Sequence, residues 1–296
     1  MLSNLHKIRK MCEVNVSLKE LSSLKVGGIC DVLFCPEDEE SLIYFLKNRP
    51  NDMKVTILGN MSNVIISDEG VQGCVIRLGK MRNDIEFHDD YIKVNAGFQL
   101  STLIGQCVRR GISCCEKLSC IPGTIGGAVF MNAGTSEFEI KDVLISVDVV
   151  DFEGNKWTIS NKKLKMSYRN GNIPKDVIII SVNLKISHKD AEKIISSIRE
   201  IRKRRLNSQP IGGATCGSTF KNPDKMKAWQ LIKEAGCAQF SVGDAVISDL
   251  HCNFLINSGK AKASDFIELI TLIRIKVFER TGIMLEEEII KIGRWL

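Results

Sequence analysis

Three glycine-bearing segments and three side chains have the residue types and spacing to do chemistry. Leu58-Gly59-Asn60-Met61-Ser62-Asn63 follows an apolar run and offers backbone donors with hydroxyl and amide side chains, the makings of a nest for a pyrophosphate. Ile121-Pro122-Gly123-Thr124-Ile125-Gly126-Gly127-Ala128, continuing to Asn132-Ala133-Gly134, lets the main chain approach a flat ring or a phosphate, because glycine carries no Cβ. Neither contains Gly-x-Gly-x-x-Gly, so a Rossmann dinucleotide fold is not expected. The third segment, Gly212-x4-Gly217-Ser218-Thr219, lacks the lysine of a P-loop, which removes a nucleoside triphosphatase. An isolated glycine loop is ordinarily a turn. By themselves these segments say only that something phosphorylated is bound.

Ser218 has no histidine close in sequence, which suits a general acid better than a hydrolase nucleophile, although a lone serine is more often a turn or cap residue. Arg169 follows Tyr168 in an Asn- and Gly-rich stretch; its planar guanidinium could grip a carboxylate with two parallel hydrogen bonds, or make a weak surface pair. Glu288 ends the acidic run Glu286-Glu287-Glu288, ordinarily a solvated edge, but it abuts Ile289 and Ile290. Eleven cysteines without a Cys-x-x-Cys pair, and four histidines, make a metal site unexpected. Cys107 and Cys237 lie among apolar neighbours at helix-like spacing and read as small buried hydrophobes of a reducing compartment.

The elements that must position these groups alternate. A helix is expected after Pro36, with Glu37, Asp38 and Glu39 in its first turn, then strands at Val55–Leu58 and Cys74–Leu78. The alternation through Tyr91–Val94 leads to a helix ending at Gly111. Val143–Phe152 and Val177–Ile186 are Val- and Ile-rich strands beside a polar turn at Glu153-Gly154-Asn155. A helix over Asp190–Leu206 runs into Gln209-Pro210-Ile211-Gly212-Gly213, the best linker in the chain and the expected domain boundary. Beyond it come a short helix at Trp229–Ala235 closed by Gly236, a strand at Cys252–Ile256, and a long helix capped by Ser264 and closed by Gly282.

The 296 residues, 44% hydrophobic and 26% charged with 23 Gly and 6 Pro, describe a globular chain of two or three compact units. No apolar run approaches the roughly 20 residues of a membrane-spanning helix. Met1–Lys10 carries Lys7, Arg9 and Lys10 without a following apolar stretch, so no secretory signal is expected. Much of the net charge of +6 comes from Arg199, Arg202, Lys203, Arg204 and Arg205, which invites a nucleic-acid hypothesis. Ile194, Ile195, Ile198 and Ile201 recur at helical spacing through that stretch and no aromatics interleave the charges, which favours a solvated basic face.

Taken together, Ser23-Leu24-Lys25-Val26-Gly27-Gly28, the Gly59–Asn63 loop, the Gly123–Gly134 stretch, Tyr168-Arg169, Gly217-Ser218-Thr219-Phe220-Lys221-Asn222-Pro223 and Leu285-Glu286-Glu287-Glu288 resemble, in order, the successive signatures of the enolpyruvoylglucosamine reductases in their shorter, type II-like form. Any one string is weak; their shared order from about residue 20 to the C-terminus is specific. The resemblance implies an α+β chain: a two-lobed FAD-binding domain of the vanillyl-alcohol-oxidase (PCMH) type over 1–200, split near 79, then a smaller α+β substrate domain over 201–296.

It further implies a cytoplasmic monomer of peptidoglycan precursor synthesis that reduces UDP-N-acetylenolpyruvoylglucosamine with bound FAD and the co-substrate NADPH, without metal, nucleic acid or membrane. Gly59, Asn60, Met61, Ser62 and Asn63 would hold the FAD pyrophosphate. Gly123, Thr124, Gly126, Gly127, Ala128, Asn132 and Gly134 would pack against the rest of the cofactor. Ser218 corresponds to the proton donor, Arg169 to the residue gripping the enolpyruvyl carboxylate, and Glu288 to a glutamate that orients or recharges the relay; Tyr168, Lys221 and Asn222 would touch substrate. An oxidase of the same fold on another alcohol is the alternative enzyme, and the intact Gly217–Pro223 string argues against it. Departures from the family pattern are Asn60-Met61 where small residues, chiefly Gly, are usual, Gly171 for a serine, Glu287 for a proline and Ile290 for an arginine.

Overall fold

A computed structural model describes residue 8 and residues 10–81, 84–224 and 226–295. Most of the Met1–Lys10 stretch read for an export signal, with His6, lies outside the described residues. In chain order the described elements are β1 (Cys12–Ser17), β2 (Ile29–Phe34), α1 (Glu39–Asn48), β3 (Val55–Leu58), β4 (Val64–Ile66), β5 (Val71–Arg77), β6 (Ile85–Phe87), β7 (Tyr91–Asn95), α2 (Leu100–Arg109), β8 (Ile112–Ser113), α3 (Ile125–Phe130), β9 (Leu144–Asp151), β10 (Lys156–Ser160), α4 (Asn161–Leu164), β11 (Val177–Lys185) and β12 (Ser187–His188). There follow α5 (Ala191–Leu206), α6 (Ala228–Glu234), β13 (Ser241–Val242), β14 (Ala245–Ile247), β15 (Leu255–Asn257), α7 (Ala263–Thr281) and β16 (Ile290–Ile292). The mixture of helix and strand is the expected α+β class.

Two compact units form: Met1–Val14, Val32–Asn60 and Gly73–Lys203 make the first, and Asn15–Asp31, Met61–Gln72 and Arg204–Leu296 the second. This differs from a single cut near residue 200, because segments 15–31 and 61–72 join the second unit. The chain crosses from one unit to the other within β1, β2 and β5, where a linear reading has no composition shift to detect.

In the first unit an antiparallel sheet runs β10-β9-β11-β7-β6. Its register is set by Val147↔Val182 and Val94↔Val182, which stack β-branched residues across three strands. Ile92, Val94, Val147, Val149, Val182 and Leu184 are essentially unexposed and form one core with Leu42 and Phe45 of α1 and Leu100 and Leu103 of α2. Sequence reading missed β10 because Lys156-Trp157-Thr158-Ile159-Ser160 buries only Ile159. Helix α1 starts later than expected: Asp38 is its N-cap, accepting from the Ser41 amide at 2.8 Å.

The second unit's core gathers Phe266, Leu269, Ile270, Ile273 and Val277 of α7 around Leu231 and Ile232 of α6 and Leu255 of β15. Two expectations need correction here. Ser264 is not the cap of α7: the helix begins after Lys262, and Asp68 accepts from the Ala263 and Ser264 amides, both at 2.9 Å. A carboxylate 195 residues away does the capping, which local sequence cannot reveal. The strand expected at Cys252–Ile256 starts at Leu255, because residues before it turn and give their hydrogen-bonding groups to another segment. Gly236 and Gly282 close their helices at φ 73° and 70°, in the left-handed conformation expected of helix stops.

Candidate active site

In the second unit, the segment carrying Ser218 lies extended between two neighbours. On one edge, the Lys221 amide donates to the Glu286 carbonyl and the Glu288 amide donates to the Thr219 carbonyl, each at 2.8 Å. On the other, Ser218 is bridged antiparallel to Phe254, and the Thr219 amide donates to the Asn253 carbonyl at 2.8 Å. Phe220, 1% exposed, anchors the middle of the segment in the core. The fold therefore puts Ser218 and Glu288, 70 positions apart in sequence, on adjacent extended segments. Glu288 is held again at its carbonyl, which accepts from Asn63 Nδ2 at 3.1 Å, while the Ile290 amide donates to the Asn63 carbonyl at 3.1 Å. Asn63 thus serves the glutamate segment through both its main chain and its side chain.

The neighbouring charges are paired. Lys221 Nζ sits on the Glu286 carboxylate, and Glu287 bonds Arg274 at 3.3 Å and Lys291 at 2.9 Å. Two basic partners thereby accommodate the glutamate that replaces the family's proline. Asn222 Oδ1 accepts from the Ala228 amide at 3.0 Å, so this carboxamide caps α6 as well as lying in the string. Cys216, next to Gly217, is 1% exposed, and burial pushes its thiol up to about 12, leaving it inert beside the site. His251 is held below its ordinary value by burial, and its Nδ1 accepts from the Asn253 amide at 3.2 Å. A neutral imidazole already engaged as an acceptor is not arranged as a base for Ser218.

In the first unit, the two glycine loops meet through Gly59 and Thr124. A Cβ on Gly59 would lie 2.6 Å from Thr124 Oγ1, so only glycine fits there. Asn60 and Gln99 exchange a reciprocal amide pair at 2.6 and 2.9 Å; Gln99 is also bridged to Thr124, and the Leu100 amide donates to the Gly123 carbonyl at 3.0 Å. Gln99 joins the two loops, and nothing in its local sequence singles it out. Gly126 packs on Ala96, which a Cβ would approach to 2.9 Å. Met61, where the chain passes into the second unit, takes φ 51°, the region that glycine occupies at no cost, which is what the family's usual small residue at this point would supply.

Arg169 sits at φ 55° in a tight turn where Ser167 and Asn170 exchange main-chain hydrogen bonds at 2.9 and 3.0 Å. Its Nη2 donates to the Gly134 carbonyl at 3.2 Å, and its guanidinium lies 4.8 Å from the Tyr168 ring centroid. Asn132, fully buried, donates to the Ser167 carbonyl at 2.8 Å and accepts from the Lys141 amide at 3.3 Å. Its carboxamide fastens the Gly134 stretch to the arginine turn. A Cβ on Gly171 would fall 2.2 Å from the Val129 carbonyl oxygen, so the family's serine would not fit this backbone.

A cavity of about 750 Å³ in the same unit is lined by none of these residues. Asp38, Glu39, Glu40, Asp84, Glu86 and Asp148 face it against Lys93 and Lys156, an acidic balance that would repel a phosphate. By contrast, neither 59–63 nor 121–134 contains a carboxylate. The positive φ of Met61, Gly123 and Asn132 turns the backbone sharply in both loops. Acid-free, tightly turned main chain is what a flavin dinucleotide requires, and these residues fit one.

Residues 30–160 match the model of an FAD binding domain, and residues 209–292 match that of the UDP-N-acetylenolpyruvoylglucosamine reductase C-terminal domain. The chain is 41% identical over 280 residues to the UDP-N-acetylenolpyruvoylglucosamine reductase of Rickettsia felis, covering 95% of both chains. It is 41% identical over 292 residues to that of Rickettsia bellii, covering 98% of this chain and 97% of the relative. Among solved structures it is similar to the UDP-N-acetylenolpyruvylglucosamine reductase of Thermus caldophilus, with a TM-score of 0.83, 34% identity, and coverage of 94% of this chain and 98% of that one.

Proposed function

The chain belongs to the UDP-N-acetylenolpyruvoylglucosamine reductase family, and from that premise we propose how its own residues carry the reaction. It is an FAD-containing oxidoreductase that reduces the enolpyruvyl ether of UDP-N-acetylglucosamine in peptidoglycan synthesis. Our reading adds NADPH as the electron donor, a cytoplasmic monomer as the working form, FAD on residues 1–200 and substrate on 201–296. The spans of the two matched domain models support that partition.

When bound, FAD supplies the hydride that goes to the terminal methylene carbon of the enolpyruvyl group. Gly59, Asn60, Met61, Ser62 and Asn63 hold its pyrophosphate through a loop without carboxylates, and Gly123, Thr124, Gly126, Gly127, Ala128, Asn132 and Gly134 back the remainder. Arg169 grips the substrate carboxylate and stabilises the negative charge that builds beside it, its guanidinium steered by the Gly134 carbonyl and the Tyr168 ring. Ser218 gives its hydroxyl proton to the carbon bearing the ether oxygen, completing the lactyl ether. Glu288 orients or recharges that donor. Tyr168, Lys221 and Asn222 contact substrate.

One observation carries this reading: Ser218 and Glu288 lie on adjacent extended segments, locked by the Glu288 amide on the Thr219 carbonyl at 2.8 Å. The test is an anaerobic visible spectrum of the purified protein, with NADPH and then UDP-N-acetylenolpyruvoylglucosamine added. Flavin bands that bleach with the first and return with the second are expected. Bands that bleach without returning would assign a different acceptor, and a colourless protein that cannot be reconstituted with FAD would remove the flavin reading.

A further inference from the structure

Ser218 is approached from its N-terminal side by a glycine, a residue with no side chain to pack. Gly217 has φ 82°, its amide donates to Thr215 Oγ1 at 3.3 Å, and a Cβ built on it would meet nothing within 4 Å, so no side chain packs there to steady the next residue. Besides its own bridge to Phe254, Ser218 is fixed from its C-terminal side, at Thr219 and Phe220. Thr219 gives its amide to the Asn253 carbonyl, and the Phe220 peptide gives both its groups to one side chain. Asn253 Oδ1 accepts from the Phe220 amide at 2.9 Å, and Asn253 Nδ2 donates to the Phe220 carbonyl at 2.8 Å.

We propose that Asn253 is the positioning residue that holds Ser218 as proton donor, its carboxamide taking the place of a paired strand at Phe220. The inference rests on Ser218 being the donor. Asn253 is 3% exposed, so water does not compete for these bonds. Only a carboxamide presents one donor and one acceptor at the spacing of a peptide's own groups; aspartate lacks the donor, and glutamine is one methylene too long. Asn253 is itself oriented, because its amide donates to His251 Nδ1 at 3.2 Å and the His251 ring packs edge-on to Phe254 at 4.9 Å. With Glu286 and Glu288 pairing the opposite edge, the clamp sets Ser218 and Glu288 in one register. Losing it leaves the Phe220 peptide unpaired on that edge, with only the Thr219 amide on the Asn253 carbonyl and the Ser218 bridge to Phe254 remaining.

The test uses the FAD-loaded protein reduced anaerobically with dithionite and mixed with UDP-N-acetylenolpyruvoylglucosamine in a stopped-flow instrument. Asn253→Asp and Asn253→Ser are compared with Ser218→Ala; the serine variant covers the case in which a buried carboxylate unfolds the unit. Reoxidation is expected to slow roughly 10–100-fold in the Asn253 variants, with flavin reduction by NADPH within about twofold of the parent and an enlarged solvent deuterium effect, since proton transfer becomes limiting. Adding Asn253→Asp to Ser218→Ala should change little, as both act on one proton. Native-state hydrogen exchange should also show the Thr219 and Phe220 amides losing protection.

If folded Asn253 variants reoxidise at the parent rate with an unchanged isotope effect, or lose both half-reactions equally, the positioning role is overturned while Ser218 stands. If Ser218→Ala itself reoxidises normally, the donor assignment fails and this inference fails with it.

Discussion

Segment 218–222 of the second unit is extended, with its central peptides paired on both edges, whereas the 167–170 turn of the first unit holds Arg169 at φ 55° and is followed by Asn172 at φ 51°. Both carry a proposed catalytic side chain, yet they are fixed by different physics. Strand-like pairing sets direction without backbone strain, but Gly217 ahead of it has no side chain to pack. The turn forces non-glycine residues into the left-handed region at about 1 kcal/mol each. Asn132 on the Ser167 carbonyl and the tight seat of Gly171 hold it there. The Ser218 segment should therefore fail through its chemistry and its clamp, and the Arg169 turn through its shape.

The largest expected effect tests the chemical side. Ser218→Ala should slow reoxidation by substrate roughly 10²–10⁴-fold and leave reduction by NADPH nearly intact; equal losses in the two half-reactions would remove the donor role. Next, Arg169→Lys keeps the charge but cannot copy two parallel hydrogen bonds, so kcat/KM should fall roughly 10–100-fold, and unchanged turnover would refute the carboxylate grip.

A pair of glycine variants addresses shape. Gly171→Ala should destabilise the protein by about 2–3 kcal/mol, because its Cβ would meet the Val129 carbonyl oxygen at 2.2 Å. Gly217→Ala meets no atom within 4 Å and should cost only about 1 kcal/mol, for its positive φ. Denaturant melts that rank the two equally would erase the contrast.

The smallest effect lies away from both regions. Burial pushes the Asp148 carboxyl up, but hydrogen bonds from Ser181, Thr158 and Lys93 and the Lys93 charge outweigh it, leaving it below its ordinary 3.8. A depressed folded value stabilises above the unfolded value, and that contribution is lost as pH falls through the folded one. Asp148→Asn should therefore melt below the parent at neutral pH, with the gap shrinking as pH falls past 3.8 and closing below the folded value; a gap that persists in acid would assign the loss to packing instead.

Much of the element pattern was legible because it is local. Val55–Leu58 is a strand with the expected bounds, and the isoleucines at helical spacing place Ile194 inward in α5 while Arg199, Arg202, Lys203 and Arg204 face solvent. Glycines in left-handed conformation end α6 and α7 as expected. Of the candidate site, the strings around Ser218, Arg169 and Glu288 were legible as an ordered set. What held each of them was not: Asn253, Asn132 and Gln99 look like ordinary polar residues until their partners are in place.

The sequence by itself determined the family, since the order of short motifs survives in one dimension, and it determined most helices and strands, since hydrophobic periodicity and backbone stereochemistry act over a few residues. Only the tertiary structure decided which segments share a unit, that Asp68 caps α7, that Asn60 and Gln99 join the glycine loops, and that Phe220 is clamped by Asn253. Each of these is a hydrogen bond or packing contact between residues far apart in the chain. Burial gives such contacts their strength and specificity, and burial exists only once the chain has folded.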